Sequence, residues 1–325
     1  MRKYILLLLA APLFFACKEE GKNPEVEEKV ADVKVAEVEV TRFDDLFYNA
    51  QPTDIPALRT KYSYMFDPRV QDSVFANKIK NPLLQELHGE VDKQFPPSSG
   101  KLKDDITELY RHIKYFYPQA AEPKVVTLIS EMDYQNRIIY TDSLLLVSLD
   151  LYLGKEHRYY VDFPVYLRAE FQPQLVMPDI VSAFAAQAIP PRKDNTLLSF
   201  MIIYGKELYM KDMFLPDTPD YDKIGYTKEQ LEWAKVNEAE MWTFFVEGKL
   251  FYDSDPKLPN RFINPAPFSK FYLEFDNESP GRLGQWLGWQ IVRAYMENNK
   301  DVTLQQLLAT DAKVIFDNSK YKPAK

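Results

Sequence analysis

Ser279-Pro280-Gly281-Arg282-Leu283-Gly284-Gln285-Trp286-Leu287-Gly288-Trp289-Gln290-Ile291-Val292-Arg293 decides how this 325-residue chain packs. The Ser-Pro pair starts a helix, and Gly281, Gly284 and Gly288 recur on one face of it. Each glycine costs a helix about 1 kcal/mol relative to alanine. A stripe of them therefore implies that another backbone approaches very closely. A second face carries Arg282, Trp286, Trp289 and Arg293 in alternation. Such a ladder either closes a core edge by cation–π stacking or lines a recognition cleft.

Two further helices are candidates to meet this one. Asn195-Thr196 starts a helix that runs to about Met213, with Gly205 in mid-course between Tyr204 and Lys206. Close packing accounts for Gly205, and Lys206 is expected in solvent. Thr227-Lys228-Glu229-Gln230 is a capping box, with threonine at the cap and glutamine three residues on. It predicts a third helix to about Leu250, whose apolar stripe of Leu231, Ala234, Trp242 and Phe245 is interrupted by Glu238. A carboxylate there needs a partner, and the Arg282–Arg293 face is the expected one. Tyr204, Lys206, Glu238, Arg282, Trp286, Trp289 and Arg293 together form the candidate binding cleft.

Outward from this core, Ser98 to Phe116 reads as an amphipathic helix with Ile106, Leu109, Ile113 and Phe116 recurring every three or four residues. Lys124–Ser130 and Arg137–Leu153 read as strands of a small sheet, and Val33, Val35, Val38 and Val40 as an earlier strand. Pro178 opens a helix that Pro190-Pro191 closes, and two short helices end the chain. The fold class is α+β, predominantly helical with a small β-sheet. With no repeat and no composition break, residues 41–325 read as a single domain, the alternative being a division near residue 120.

Met1-Arg2-Lys3 followed by the apolar Tyr4–Ala16 reads as a signal peptide over residues 1–16, too short to span a bilayer. Cys17 is the sole cysteine and follows the small Ala16, as at a lipoprotein cleavage site. A lone thiol in an exported chain has no disulfide partner, and lipid attachment accounts for it. Residues 17–40 are expected to be a lipid-anchored, disordered tether, charged from Lys18 to Asp32. The formal charge of −8 argues against nucleic acid, whose phosphates call for a basic surface. The 46% hydrophobic content supplies a sizeable core, and 23 prolines against 10 glycines suggest rigid connections.

No catalytic set emerges. His88, His112 and His157 form no H-E-x-x-H pair, and each reads as structural. No G-x-S-x-G elbow and no phosphate-binding glycine loop is present. Neither a cofactor nor a metal is expected.

The blocks Ser148–Gly154, Met201–Tyr209, Ile224–Gln230, Asn260–Asn264, Ser279–Arg293 and Ser319–Pro323 resemble the GldB family of gliding-motility lipoproteins of Bacteroidota. The resemblance implies an envelope lipoprotein, anchored to membrane lipid through Cys17. Its protein partner would lie in the gliding and type IX secretion machinery. Lys18-Glu19-Glu20 after the cysteine resembles a surface-export signal and favours the outer membrane over the inner. At the level of fold, the order of helices is similar to a gluzincin-type zinc protease. In such an enzyme the first helix carries H-E-x-x-H and the second a Glu-Gly pair supplying the third ligand. Here the helix Asp179–Ile189 has no histidine and Tyr204 precedes Gly205. The resemblance thus implies a zincin-like, degenerate gluzincin core retained for binding, not an enzyme. The rival reading is an envelope hydrolase acting on peptide or cell-wall substrates, with Glu238 beside Arg282 or Arg293.

Overall fold

β-branched and leucine residues at 124–128 and 144–148 build the centre of a sheet in the computed structural model, which describes residues 24–274 and 276–323. The strands are β1 (Val40–Arg42), β2 (Lys124–Leu128), β3 (Ile138–Tyr140) and β4 (Leu144–Ser148), in the order β1-β2-β4-β3. β1, β2 and β4 are parallel, and β3 lies antiparallel to β4 at the edge. Alternation along the strands divides their side chains between two apolar clusters. Val125, Leu145 and Val147 face the main cluster. Val126, with Leu144 and Leu146, faces a smaller one containing Phe43, Phe47, Phe66 and Ile79. Burial on both faces explains why these strands read as continuous apolar runs. Thr141 closes the hairpin, its N–H donating to Leu144 O (2.8 Å) and its Oγ1 accepting from Leu144 N (3.0 Å).

Helices of eight or more residues surround the sheet. They are α1 (Pro24–Ala31), α2 (Asp72–Lys80), α3 (Pro82–Gln94), α4 (Lys101–Phe116), α5 (Val176–Ala188), α6 (Leu197–Phe214), α7 (Lys228–Val236), α8 (Glu238–Glu247), α9 (Leu283–Asn298) and α10 (Ala312–Ser319). α6 is apolar on most of its circumference, as a helix buried on all sides must be. Thr196 caps it through Ser199 N (3.3 Å). α9 crosses α6 where glycine meets glycine: a methyl on Gly205 would collide with Gly288 O, and one on Gly288 with Met201 O. Gly284 opens a like gap for Phe262 O, at 2.9 Å from where its Cβ would stand. The close approach inferred from the glycine stripe is thus real, although Gly281 precedes α9 and meets the Ala266 backbone instead.

Several expectations are corrected. Residues 24–31 of the expected disordered tether are helical, with Val30 buried against the fold. α1 rests on α4, where Glu27 lies 3.4 Å from His112 Nε2. One buried valine among charged residues leaves too faint a periodicity to read. The strand expected from Val33 begins only at Val40, the preceding residues forming no regular element. The third helix breaks at Asn237, whose side chain donates to Trp233 O (2.8 Å), giving α7 and α8 in its place. Cys17, the signal peptide and residues 17–23 of the tether lie outside the described residues. Among the described residues no helix is long and apolar enough to cross a membrane.

Candidate binding cleft

A cleft of about 460 Å³ opens between the edge strand β3, α5, α6 and the start of α9. Its floor is a chain of ion pairs. Arg137, leading into β3, reaches Asp179 of α5 (2.9 Å) and Glu170 (3.1 Å). Glu170 also binds Arg282 (2.9 Å), which donates in turn to Gly225 O (3.1 Å). Tyr152 donates its phenol to Asp179 (2.8 Å). On the α6 wall, Glu207 accepts from Ser182 (2.6 Å) and lies 3.4 Å from Lys211, while Tyr204 contributes its ring.

The electrostatics follow from burial opposed by pairing. Burial alone would raise the Glu170 carboxyl, but Arg282 and Arg137 hold it below its ordinary range. Burial pushes Asp179 up, with Arg137 and Lys211 opposing it. Arg137 itself is held firmly protonated: its burial is outweighed by Asp179, Tyr152 and Glu170. The floor is therefore a fixed array of charges in which each cation has an acidic neighbour.

The wall carrying Arg137 is set by Asp150 in the loop after β4. Its carboxylate accepts from Ser130 N and Met132 N, both at 2.9 Å. Glu131 and Met132 there take positive φ values of 58° and 70°. Backbone in that region costs on the order of 1–3 kcal/mol per residue, and Asp150 offsets it by accepting both N–H groups.

Of the residues selected from sequence, Tyr204 and Arg282 line the cleft. The others do not join them. Lys206, expected in solvent, is buried and donates to Leu308 O (2.9 Å) and Thr310 O (2.7 Å), and burial pulls its pKa down to about 8. Trp286 and Trp289 are core residues. Arg293 stacks 3.8 Å over Trp289 and binds Asp212 (2.7 Å) and Asp220 (2.8 Å). Trp289 Nε1 and Lys223 Nζ complete the Asp212 shell at 2.8 and 3.0 Å. The Arg-Trp ladder divides: Trp286, Trp289 and Arg293 pack at the core, whereas Arg282 lines the cleft. Glu238 does not meet the arginine face: it begins α8 and accepts from the Tyr321 phenol. The break at Asn237 turns it elsewhere.

Sequence reasoning missed Arg137, Glu170, Asp179, Glu207 and Lys211. The available signal was Asp179, the one charged residue in the otherwise apolar α5.

Among the described residues, one group of three carboxylates or imidazoles lies close enough to hold a metal: Asp44, His88 and Asp92. Its donors do not fit a cation, because Arg42 already binds both Asp44 (2.6 Å) and Asp92 (3.0 Å). His157 caps a short turn through Tyr159 N (3.4 Å), and His112 is buried beneath α1. A larger groove of about 1120 Å³ runs beside residues 37–40 and α4. Phe95, Leu102 and Met177 line it, and none of the residues selected from sequence does.

Fold and cleft together define a mostly helical α+β protein with a small mixed sheet and a polar, ion-paired recess at the sheet edge. The chain belongs to the family of gliding motility protein GldB, whose sequence model matches residues 23–323. This is a lipoprotein family associated with gliding motility, which places the chain with the cell envelope. No curated protein and no solved structure matches it.

Proposed function

We propose that the protein is a non-catalytic binding component of the gliding and type IX secretion machinery, tethered through an acylated Cys17, and that the cleft holds a protein partner. The observation that carries this reading is the pairing of the cleft's charges. Arg137, Glu170, Asp179 and Arg282 pair with one another, an arrangement that favours holding a partner over acid–base chemistry. The reading extends to a zincin-like scaffold that has lost its metal. The cleft-lining pairs four apart on α5 are Pro178 with Ser182 and Asp179 with Ala183, and Tyr204 lines the cleft from α6. Two imidazoles and a third carboxylate are thereby missing from the donor set. The rival hydrolase loses its proposed acid–arginine pair, since Glu238 is bound to Tyr321. Outer-membrane attachment is the destination this proposal adopts.

The test is capture of the lipidated protein and its partner from envelope membranes. Arg282→Ala with Tyr204→Ala should release the partner while the protein keeps its fold. Retained capture would contradict the binding reading. Stoichiometric zinc surviving dialysis of the purified mature protein would contradict the loss of the metal.

A further inference from the structure

We infer that the partner enters the cleft as an extended segment of polypeptide that pairs with the free edge of β3, an inference resting on the partner-binding reading above. β3 is the last strand of the sheet. Arg137 and Thr141 turn their backbone groups toward β4: Ser148 N donates to Arg137 O (2.9 Å) and Thr141 N to Leu144 O (2.8 Å). Antiparallel pairing alternates residue by residue. Ile138 and Tyr140 therefore turn theirs outward. The Gln187 side-chain amide already donates to Tyr140 O. The backbone groups of Ile138 face the cleft, which Ile138 lines, while the outward N–H of Tyr140 lies toward the end of β3 that α5 packs against.

Three features favour a peptide main chain as the occupant. Sheet edges are ordinarily guarded by a charge, a proline, a bulge or a covering element. β3 reads Ile-Ile-Tyr, and Ile139 is 41% exposed. Arg137, the adjacent charge, is committed to Asp179 and Glu170. Second, the cleft charges balance: Arg137, Lys211, Lys223 and Arg282 stand against Glu170, Asp179, Glu207 and Asp222. A balanced field suits the neutral, dipolar backbone of a peptide better than a phosphate or a cation. Third, Tyr134 lines the cleft with its ring edge-on to Phe163 (5.8 Å), beside Leu167. That apolar corner suits a side chain of an added strand, in the manner of β-augmentation.

The experiment selects phage-displayed random dodecapeptides on the full-length protein in detergent micelles. The selected peptides are then resynthesised with an N-methyl group at each backbone position in turn. Pairing predicts a loss of about tenfold in affinity at the single position whose N–H meets Ile138 O, and little change at its neighbours. Ile138→Pro removes an outward N–H without touching the bonds to β4, as proline is tolerated on an edge. It should weaken the same peptides by about tenfold at an unchanged melting temperature. If that variant unfolds, amide exchange on the unsubstituted protein serves instead, with the Ile138 N–H becoming protected when peptide is added. Failure to select any peptide, N-methyl effects confined to no one position, an unprotected Ile138 amide, or a dimer paired through β3 would each overturn the inference. If Arg282→Ala and Tyr204→Ala release the peptides but N-methylation singles out no position, the cleft reading stands and strand pairing alone falls. If neither the peptides nor the cellular partner respond to those two substitutions, the cleft reading falls as well.

Discussion

Two arginines a few turns apart on one stretch of chain do opposite things. Arg293, in the second half of α9, stacks over the buried Trp289 ring and is held by Asp212 and Asp220, with Lys223 on the Asp212 carboxylate. Arg282, just ahead of α9, binds Glu170 at the wall of an open cleft. Both sit in charge networks anchored on α6 or its neighbours, and both were grouped together by sequence. The difference is what each adjoins: Arg293 lies on the face of the buried Trp289, whereas Arg282 borders a recess large enough for a ligand. Residue type and spacing set the pairing, whereas the helix crossing at Gly205 and Gly288 sets which pair faces outward.

The comparison is tested first by breaking the Arg293 network. Asp212→Ala leaves Arg293 and the buried Lys223 with Asp220 alone and the buried Trp289 N–H without its acceptor, and removing one partner of such a cluster costs about 3–5 kcal/mol. Thermal denaturation should show a fall of roughly 10 °C. A smaller effect, of about 1–3 kcal/mol, is expected from Gly288→Ala, which drives a methyl into the Met201 carbonyl. Chemical denaturation should show the lower midpoint with fluorescence of the buried indoles shifted. Arg282→Ala removes a half-buried partner from Glu170, which keeps Arg137. It should cost only about 1–2 kcal/mol while abolishing gliding. Equal destabilisation by the Asp212 and Arg282 variants would erase the distinction between core and cleft.

Lys206 offers a sharper, pH-dependent contrast. Burial lowers its pKa in the folded state to about 8 from 10.5. Between those values the unfolded chain binds a proton that the folded chain does not, so this group makes stability rise with pH. Below about pH 8 its buried charge costs stability throughout. Lys206→Met should therefore be relatively most favourable near neutral pH and lose that advantage toward pH 10, by on the order of 2 kcal/mol. Denaturation midpoints of both proteins across that range would show it. A difference independent of pH would refute the assignment. The smallest change, within about 0.5 kcal/mol, is expected from Glu238→Gln, which retains an acceptor for Tyr321 and leaves gliding intact.

Much of the helical frame was legible because it rests on local chemistry. Thr196, the Thr227–Gln230 box and the closing prolines marked helix ends near where they occur. The glycines at 205 and 288 announced the crossing because only a close backbone justifies them. The cleft was less legible, since its charges come from Arg137, Glu170, Asp179 and Arg282, which no periodicity links. Glu238 shows the same limit from the other side. Its place on an apolar stripe assumed one continuous helix, and the turn at Asn237 rotated that stripe away. Lys206 looked solvated because nothing local reveals that the 304–310 segment returns its carbonyls to it.

The most direct test is gliding by cells whose full-length, lipidated protein carries Arg282→Ala and Tyr204→Ala together, with melting temperature and envelope level measured in parallel. The account predicts that gliding and partner capture are lost while the protein remains folded and abundant. Full gliding with an emptied cleft wall would contradict it.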